Sequence, residues 1–326
     1  MVLYYEKFIE KGWWYLDIEL RGKIDLLTEN YNEIRKSLRW DGKLLNHFEA
    51  LIFSRTDREF SVSKINEIRK FIKQDRRIHS CFKGDFLKLF SVMINDSDDY
   101  KEVYDNTVKV YSHLVYAGLT ENEKTAFAAF ILGKRFKGKE LDKKVDRLIE
   151  IKKRIGKDDY LSYASLAATN KDIDLIVDEM NIVCDKLNEV GLKLEKEEEG
   201  FATALIIEGK DITNKVEKAL SIACNIKSEL FTVPKKVFSL IGLATLLIED
   251  AETFSKELRE VYLMLKGKIG YRYFINNELR LIIALGVLLN KYTEEIQADL
   301  IDVNLTDEIN VLLALEEYTV FSLALF

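Results

Sequence analysis

The chain has 326 residues, of which 48% are hydrophobic and 32% are charged, and its formal net charge is −6 at pH 7. This hydrophobic content argues against intrinsic disorder and is enough for a sizeable core. Proline occurs only once, at Pro234, where average usage would give roughly 16. Because proline breaks helices, its scarcity favours a protein that is helical almost throughout.

The cysteines and the apolar runs indicate the compartment. Cys81, Cys184 and Cys224 are widely spaced and form no CxxC pair. This pattern argues against a disulfide framework or a zinc site and fits a reducing compartment. The longest apolar run, at 281–289, is far shorter than the ~20 residues that span a bilayer. We therefore expect a cytoplasmic protein without membrane association.

One apolar spacing recurs along the chain. Tyr104, Val108 and Tyr111 lie at i, i+4 and i+7, which places them on one face of a helix. Stronger or weaker copies of this spacing are separated by 43, 37, 35, 36 and 42 residues and begin at positions 61, 104, 141, 176, 212 and 254. Such a regular period predicts a repeated helical unit.

A second, more continuously apolar helix is predicted before each amphipathic one. Small residues such as Ala129 and Ser165 lie within these segments, where they let neighbouring helices approach closely. The pattern predicts an all-α protein of antiparallel two-helix repeats stacked as an α-solenoid, with a compact multi-helix array as the alternative. The apolar segments are 47–53, 86–94, 126–132, 161–168, 201–207, 238–248 and 281–289.

The predicted organisation has three parts. Residues 1–43 form an N-terminal helical cap, residues 44–309 form six to seven two-helix repeats in one continuous array, and residues 310–326 form an apolar C-terminal helix. Terminal repeats of solenoids usually present a polar outer face. The apolar segment 310–326 is therefore expected to dock within the chain or against another copy, which would give a homo-oligomer.

Several residues are predicted to cap the ends of helices. Thr120 to Glu123 is predicted to form a capping box, and Asp211 and Thr293 are expected N-caps, because their side chains accept hydrogen bonds from unpaired backbone N–H groups. Three glycines follow amphipathic helices, where a left-handed C-cap favours glycine: Gly118, Gly156 and Gly191.

Two stretches of the chain bear on its family. One is HSCFKGDFLKLFSVMINDSDDYKEVYDNTVKVYSHL at 79–114, and the other is DDYLSYASLAATNKDIDLIVDEMNIVCDKL at 158–187. Both resemble a bacterial family catalogued as domain of unknown function 4003, and the order of segments between roughly residues 20 and 290 is similar as well. The resemblance implies a helical fold. Because the family has no assigned activity, it implies no catalytic role for any residue.

A loop between two predicted helices is rich in cations. His79 lies in this loop beside Lys73, Arg76, Arg77 and Lys83. Positive groups gathered around an imidazole can bind an anion or an acidic partner. The alternative is a solvated loop between repeats.

Positive charge is concentrated in the first half of the chain. Residues 1–157 hold 32 Lys and Arg against 25 Asp and Glu, a net of +7, whereas residues 158–326 hold 17 against 30, a net of −13. A basic stripe can neutralise phosphates or an acidic partner. The alternatives are solvated helix faces and association of one copy's basic half with another's acidic half. Within 134–157 the candidate binding residues are Lys134, Arg135, Lys152, Lys153 and Arg154.

No catalytic, metal or cofactor motif is recognisable in the sequence, so we predict neither a cofactor nor a metal. An enzyme with an unrecognised carboxylate site is a further alternative. Its first candidates are Asp158 and Asp159, at the start of a predicted helix that also carries Tyr160 and Tyr163.

The leading functional hypothesis is a non-enzymatic helical-repeat scaffold that binds a protein or peptide partner. Its basis is the repeat pattern, since solenoids present extended binding surfaces. The main alternative is nucleic-acid binding through the basic segments 69–83 and 134–157, with affinity that falls as salt rises.

Overall fold

The computed structural model describes residues 18–54, 60–75, 82–95, 97–195, 198–207, 211–229, 233–248, 250–273 and 275–299. In these ranges fifteen α-helices are present and no β-strand, so the prediction of an all-α protein is confirmed. Short 3₁₀-helices lie at Arg39–Asp41 and Lys235–Val237. None of the described helices is both long and apolar enough to cross a membrane.

The helices in chain order are α1 (Ile18–Ser37), α2 (Lys43–Ile52), α3 (Val62–Gln74), α4 (Gly84–Met93), α5 (Tyr100–Tyr116), α6 (Glu123–Arg135), α7 (Gly138–Ile155), α8 (Tyr160–Ala168), α9 (Ile173–Glu189), α10 (Glu198–Ile206), α11 (Ile212–Glu229), α12 (Phe238–Leu247), α13 (Ala251–Gly267), α14 (Ile269–Tyr273) and α15 (Asn277–Asp299).

The longer helices bury one stripe each. Tyr104, Val108 and Tyr111 of α5 are buried, as are Ile176 and Val183 of α9. Apolar residues spaced by three and four positions share one face of a helix, and burying that face drives the helix onto the core. The predicted amphipathic stripes are therefore confirmed.

Several of the shorter helices are mostly buried, and α8 is buried on all sides. All nine residues of α8 are buried, including Ser162 and Ser165. Ser165 Oγ donates to Leu161 O (3.2 Å), so its hydroxyl is satisfied within its own helix. Small side chains that need no external partner let α8 fit between neighbouring helices, as the alanine- and serine-containing segments predicted.

Several helices begin at an acidic or amide cap. Asp99 accepts hydrogen bonds from the N–H groups of Lys101 and Glu102, and Asp211 accepts from Asn214 N. The predicted cap at Thr120 is wrong, because Asn122 caps α6 by accepting from Thr125 N. The predicted cap at Thr293 is also wrong, since Thr293 lies inside α15.

The short helices contact one another in succession, and the two ends of the described chain meet. Helix α2 packs against α4, α6 against α8, α8 against α10, α10 against α12 and α12 against α15. Helices α4 and α6 meet through Phe86 and Phe127, whose ring centroids are 4.6 Å apart. Helix α15 then contacts α1 and α2. Asn290 Nδ2 of α15 donates to the Leu51 carbonyl of α2 (3.3 Å).

The predicted N-terminal cap, 1–43, contains α1. This helix packs against α2 and also against α13, α14 and α15. Lys23 of α1 forms an ion pair with Glu294 of α15, and Lys268 Nζ lies 2.8 Å from Asp25 Oδ1. The predicted C-terminal helix at 310–326 lies outside the described residues, and the stacked solenoid stays a prediction.

Gly133 sets the distance between α5 and α6. A Cβ added at Gly133 would lie 2.9 Å from the backbone nitrogen of Thr107, so α5 would have to move. We expect Gly133→Ala to lower the free energy of unfolding by about 1–3 kcal/mol, as overpacking does. The matched control is Gly22→Ala in α1, where the added Cβ meets nothing within 4 Å. Alanine should stabilise that exposed helical site by up to about 1 kcal/mol. Equal urea midpoints for the two variants would contradict this packing.

Candidate functional site

A cleft of about 680 Å³ opens between the end of α1, the outer face of α3 and the start of α4. Clefts of roughly 300–1,000 Å³ are the usual size of ligand sites. We call it the basic cleft. Its lining residues are Ser37, Leu38, Trp40, Asp41, Asn66, Arg69, Lys70, Lys73, Gln74, Gly84, Leu87 and Lys88.

The period of α3 positions the cations of the cleft. Ile65, Ile68 and Ile72 are buried against the core. The opposite face therefore carries Asn66, Lys70 and Lys73 at i, i+4 and i+7, and all three are exposed. One helix face thus presents two ammonium groups and an amide to the same cleft.

Arg69 joins the cleft to the core. Its guanidinium makes a bidentate contact with Asp41, with Nη1 3.1 Å from Oδ1 and Nη2 2.5 Å from Oδ2. Its Nε also donates to Ser91 Oγ (2.8 Å). Bidentate arginine–carboxylate pairs have fixed geometry, so α3, α4 and the 3₁₀-helix at Arg39–Asp41 are held together at the floor of the cleft.

A second carboxyl group lies behind this pair. Glu49 of α2 is fully buried, and its Oε1 is 3.7 Å from Arg69 Nη2. Burial raises the pKa of Glu49 well above its ordinary value, and the neighbouring Asp41 carboxylate raises it further, whereas Arg69 and Lys88 oppose this shift. A raised pKa favours the neutral acid, so Glu49 adds little negative charge behind the cleft.

The remaining charge of the cleft is positive. The Asp41 carboxylate is paired with Arg69, and Lys88 Nζ lies 2.7 Å from Asp85 Oδ1. Lys70 and Lys73 are exposed, and no ion pair joins them to another described residue. These two ammonium groups are therefore available to a negatively charged ligand.

Trp40 forms part of the rim. Its side chain is 81% exposed, although Leu38, just before the 3₁₀-helix, and Asp41, at its end, are buried. The Arg39 guanidinium carbon lies 4.6 Å from the centroid of the indole ring. A large aromatic surface is thus held at the mouth of a cationic cleft.

The structure brings part of the first predicted basic cluster into this cleft. Lys73 lines it, and Lys83 is exposed next to Gly84, which also lines it. Arg76, Arg77 and His79 lie outside the described residues. Sequence reasoning missed several cleft residues outside that cluster: Asp41, Asn66 and Lys88. The i, i+4, i+7 spacing of Asn66, Lys70 and Lys73, opposite an isoleucine stripe, was a signal for the α3 face.

None of the second predicted cluster lines the basic cleft. Arg154 pairs with Asp174, Lys152 Nζ lies 3.6 Å from Asp158 Oδ1, and Lys153 is exposed. Arg135 Nη1 donates to the Ile131 carbonyl (3.0 Å), and the Lys134 ammonium lies 5.6 Å from the centroid of the Phe130 ring.

Other cations of 134–157 form hydrogen bonds with backbone carbonyls of the same chain. Lys144 Nζ donates to the carbonyls of Ala168 and Thr169 at 2.9 and 3.0 Å, and Arg147 contacts the Lys171 carbonyl. These carbonyls lie at the end of α8 and in the residues just after it, so the two cations stabilise the negative end of that helix.

The carboxylates suggested for an enzyme site have structural contacts. Asp159 caps α8 by accepting from Ser162 N (3.4 Å), and Tyr160 Oη donates to Asp158 Oδ1 (3.0 Å). Tyr163 is fully buried, and burial raises its pKa above the ordinary tyrosine value. Among the described residues no group of three or more His, Cys, Asp or Glu could hold a metal ion.

A smaller cavity of about 160 Å³ lies nearby, between α7, α9 and the start of α10. Lys157 Nζ is 2.5 Å from Glu199 Oε1 at its edge, and Cys184 lines it. Burial raises the pKa of the Cys184 thiol, and Glu198 adds to the shift. A raised pKa favours the unreactive thiol, so the basic cleft is the stronger candidate site.

The described residues thus define an all-α protein with a preformed basic cleft. Its sequence matches the model of the family described as "Protein of unknown function (DUF4003)" over residues 30–318, and the chain belongs to that family. No curated protein and no solved structure matches it.

Proposed function

We propose that this protein is a non-enzymatic scaffold of stacked two-helix repeats, and that it binds an acidic segment of a protein or peptide partner in the basic cleft. The observation that carries the proposal is the pair of exposed ammonium groups, Lys70 and Lys73, on one face of a cleft of about 680 Å³. Opposite charges across an interface steer encounter and fix register.

The alternation of helices supports the repeat part of the proposal. Long amphipathic helices, such as α5 and α9, alternate with short buried ones, such as α6 and α8. Each of the short helices α2, α4, α6, α8, α10 and α12 has a longer one directly before it in the chain, which makes six pairs between α1 and α12. A pair that cannot bury its apolar surface alone is stabilised by stacking on its neighbours.

The fixed floor of the cleft supports binding rather than chemistry. Arg69 and Asp41 satisfy each other, and Asp159 is engaged as a helix cap. Groups held in this way keep one geometry, which lowers the ordering cost of binding a ligand. We extend the proposal to a cytoplasmic location, because Cys184 and Cys224 are both free thiols.

A protein partner is favoured over nucleic acid. Duplex binding depends on many phosphate contacts along a basic track. In the second basic segment, 134–157, several cations contact groups of the chain itself: Lys144, Arg147, Lys152, Arg154 and Lys157. A short acidic segment needs only the local charge of the cleft.

The test is fluorescence anisotropy with a labelled glutamate-rich peptide. We expect Lys70→Glu with Lys73→Glu to weaken binding by roughly tenfold or more, since two attractive contacts become repulsive. The matched control is Lys143→Glu with Lys153→Glu, which changes the same charge at exposed positions of α7. That control should stay within twofold of the unaltered protein.

Two results would contradict the proposal. One is a peptide affinity that Lys70→Glu with Lys73→Glu leaves unchanged. The other is an oligonucleotide that binds more tightly than the peptide and is weakened equally by both pairs of substitutions. The second result would support nucleic-acid binding through 69–83 and 134–157.

A further inference from the structure

We propose that the basic cleft selects an acidic segment that also carries an aromatic side chain, and that this side chain stacks on Trp40. The inference rests on the proposed function and adds a specificity determinant to it. The observation that carries it is an 81% exposed indole at the mouth of a cleft whose neighbouring face presents ammonium groups.

Trp40 is held in place by its neighbours although its ring faces solvent. Leu38 N donates to the Ile34 carbonyl (2.7 Å), and Asp41 N donates to the Leu38 carbonyl (2.9 Å). The buried Asp41 side chain is fixed further by Arg69. The backbone on both sides of the indole is therefore anchored, so a ligand that stacks there pays little ordering cost.

The indole has the properties of an aromatic anchor site. Tryptophan is among the residues that contribute most to binding hot spots, because it buries a large area with few rotatable bonds. Arg39 already lies against the ring at 4.6 Å, as a cation does over an aromatic face. The exposed remainder of the ring offers a surface for a flat side chain.

The cleft adds apolar and charged walls beside this ring. Leu38 and Leu87 are buried lining residues and supply an apolar wall. Lys70 and Lys73 lie on the α3 face, and Asn66 and Gln74 on that helix can pair with the amide groups of an extended peptide. A ligand with carboxylates beside an aromatic ring satisfies all of these groups together.

A peptide fits better than a nucleotide because of Arg69. Phosphate recognition favours the forked guanidinium of arginine. The fork of Arg69 is already bound to Asp41 and its Nε to Ser91. The cleft therefore offers a ligand its lysine ammonium groups, which suit the single charges of carboxylates.

The experiment compares two peptides of equal charge, each with four glutamates around a central residue that is phenylalanine in one and serine in the other. An aromatic pair adds affinity beyond that of the buried area, so we expect the phenylalanine peptide to bind roughly five- to tenfold more tightly. Trp40→Ala should remove this preference, and its affinity for the serine peptide should stay within twofold of that of the unaltered protein. Trp40→Phe should retain most of it.

Tyr116→Ala is the control, because Tyr116 is a 93% exposed aromatic residue outside the cleft. It should leave both affinities unchanged. Equal affinities of the unaltered protein for the two peptides would overturn the inference and leave the proposed function standing. Binding of neither peptide would overturn the proposed function itself. Displacement of the phenylalanine peptide by AMP or an oligonucleotide, lost in Trp40→Ala, would overturn the inference in favour of a nucleotide.

Discussion

Arg69→Met is expected to lower the free energy of unfolding by about 3–5 kcal/mol at pH 7, the usual cost of removing one partner from a buried ion pair. The substitution keeps an unbranched apolar stem but removes the guanidinium, so it leaves Asp41 without its cation. The side chain of Asp41 is 6% exposed and that of Glu49 is fully buried. Neither carboxyl group can recover the lost contact by turning to water.

Urea denaturation measures this effect. Adding Asp41→Asn to Arg69→Met should recover part of the loss, because the amide leaves no unpaired carboxylate beside the missing guanidinium. The matched control is Arg39→Met, an exposed arginine two residues before Asp41, which should change the free energy of unfolding by less than about 0.5 kcal/mol. A loss below about 1 kcal/mol for Arg69→Met would show that the guanidinium does not hold the floor of the cleft.

The second large effect is a dependence of stability on pH that arises from His47. This residue of α2 is fully buried between Tyr31 of α1 and Tyr271 of α14, at ring-centroid distances of 4.0 and 4.7 Å. Neither ring nitrogen has a hydrogen-bond partner among the described residues. Burial therefore lowers the pKa of His47 from 6.5 to about 3.

The sign of the effect follows from proton linkage. Between pH 6.5 and about pH 3 the unfolded chain binds a proton at His47 and the folded protein does not. The free energy of unfolding consequently falls as pH is lowered through this window, by roughly 1.4 kcal/mol per pH unit. This contribution is fully present above pH 6.5, where both states are neutral.

His47→Phe isolates this term. Phenylalanine keeps a flat ring between the two tyrosines but cannot bind a proton. The pH dependence of stability is what is compared, whatever change in stability the substitution causes at pH 7.5. When the pH is lowered from 6.5 to 4.5, the free energy of unfolding of the variant should fall by about 2–3 kcal/mol less than that of the unaltered protein. Urea titrations at several pH values provide the comparison, in which other titrating groups such as Glu49 cancel. Parallel pH profiles for the two proteins would mean that folding does not shift the pKa of His47.

Much of the fold was predictable from the sequence because helical burial is periodic. The stripe that contains Tyr104, Val108 and Tyr111 and the short apolar segments define the helices without tertiary information. Contacts between α15 and α1 were not predictable, because apolar surface that covers a neighbour looks the same as surface that covers a distant helix. Thr120 was mistaken for a cap because Asn122, two residues later, offers an equally suitable acceptor.

Only part of the basic cleft could be predicted from the sequence. The cations of 69–83 were prominent because they are adjacent along the chain, and Lys73 does line the cleft. Trp40 and Asp41 precede them by some thirty positions, and only tertiary packing places them opposite α3. The pairing of Arg69 with Asp41 separates a structural cation from the available lysines, and no pattern of charge along the chain could show that difference.

The contact between the last long helix and the first two bears on how this family can change in evolution. In an open stack, one helix pair can be gained or lost because only a single terminal contact is remade. Here α15 contacts α1 and α2, so neither end of the proposed stack of pairs is open within the described residues. Loss or duplication of a pair would force all the remaining pairs to change their mutual angles. Length variation among relatives should therefore fall in the connecting loops, where extra residues cost little entropy, while the number of pairs stays fixed.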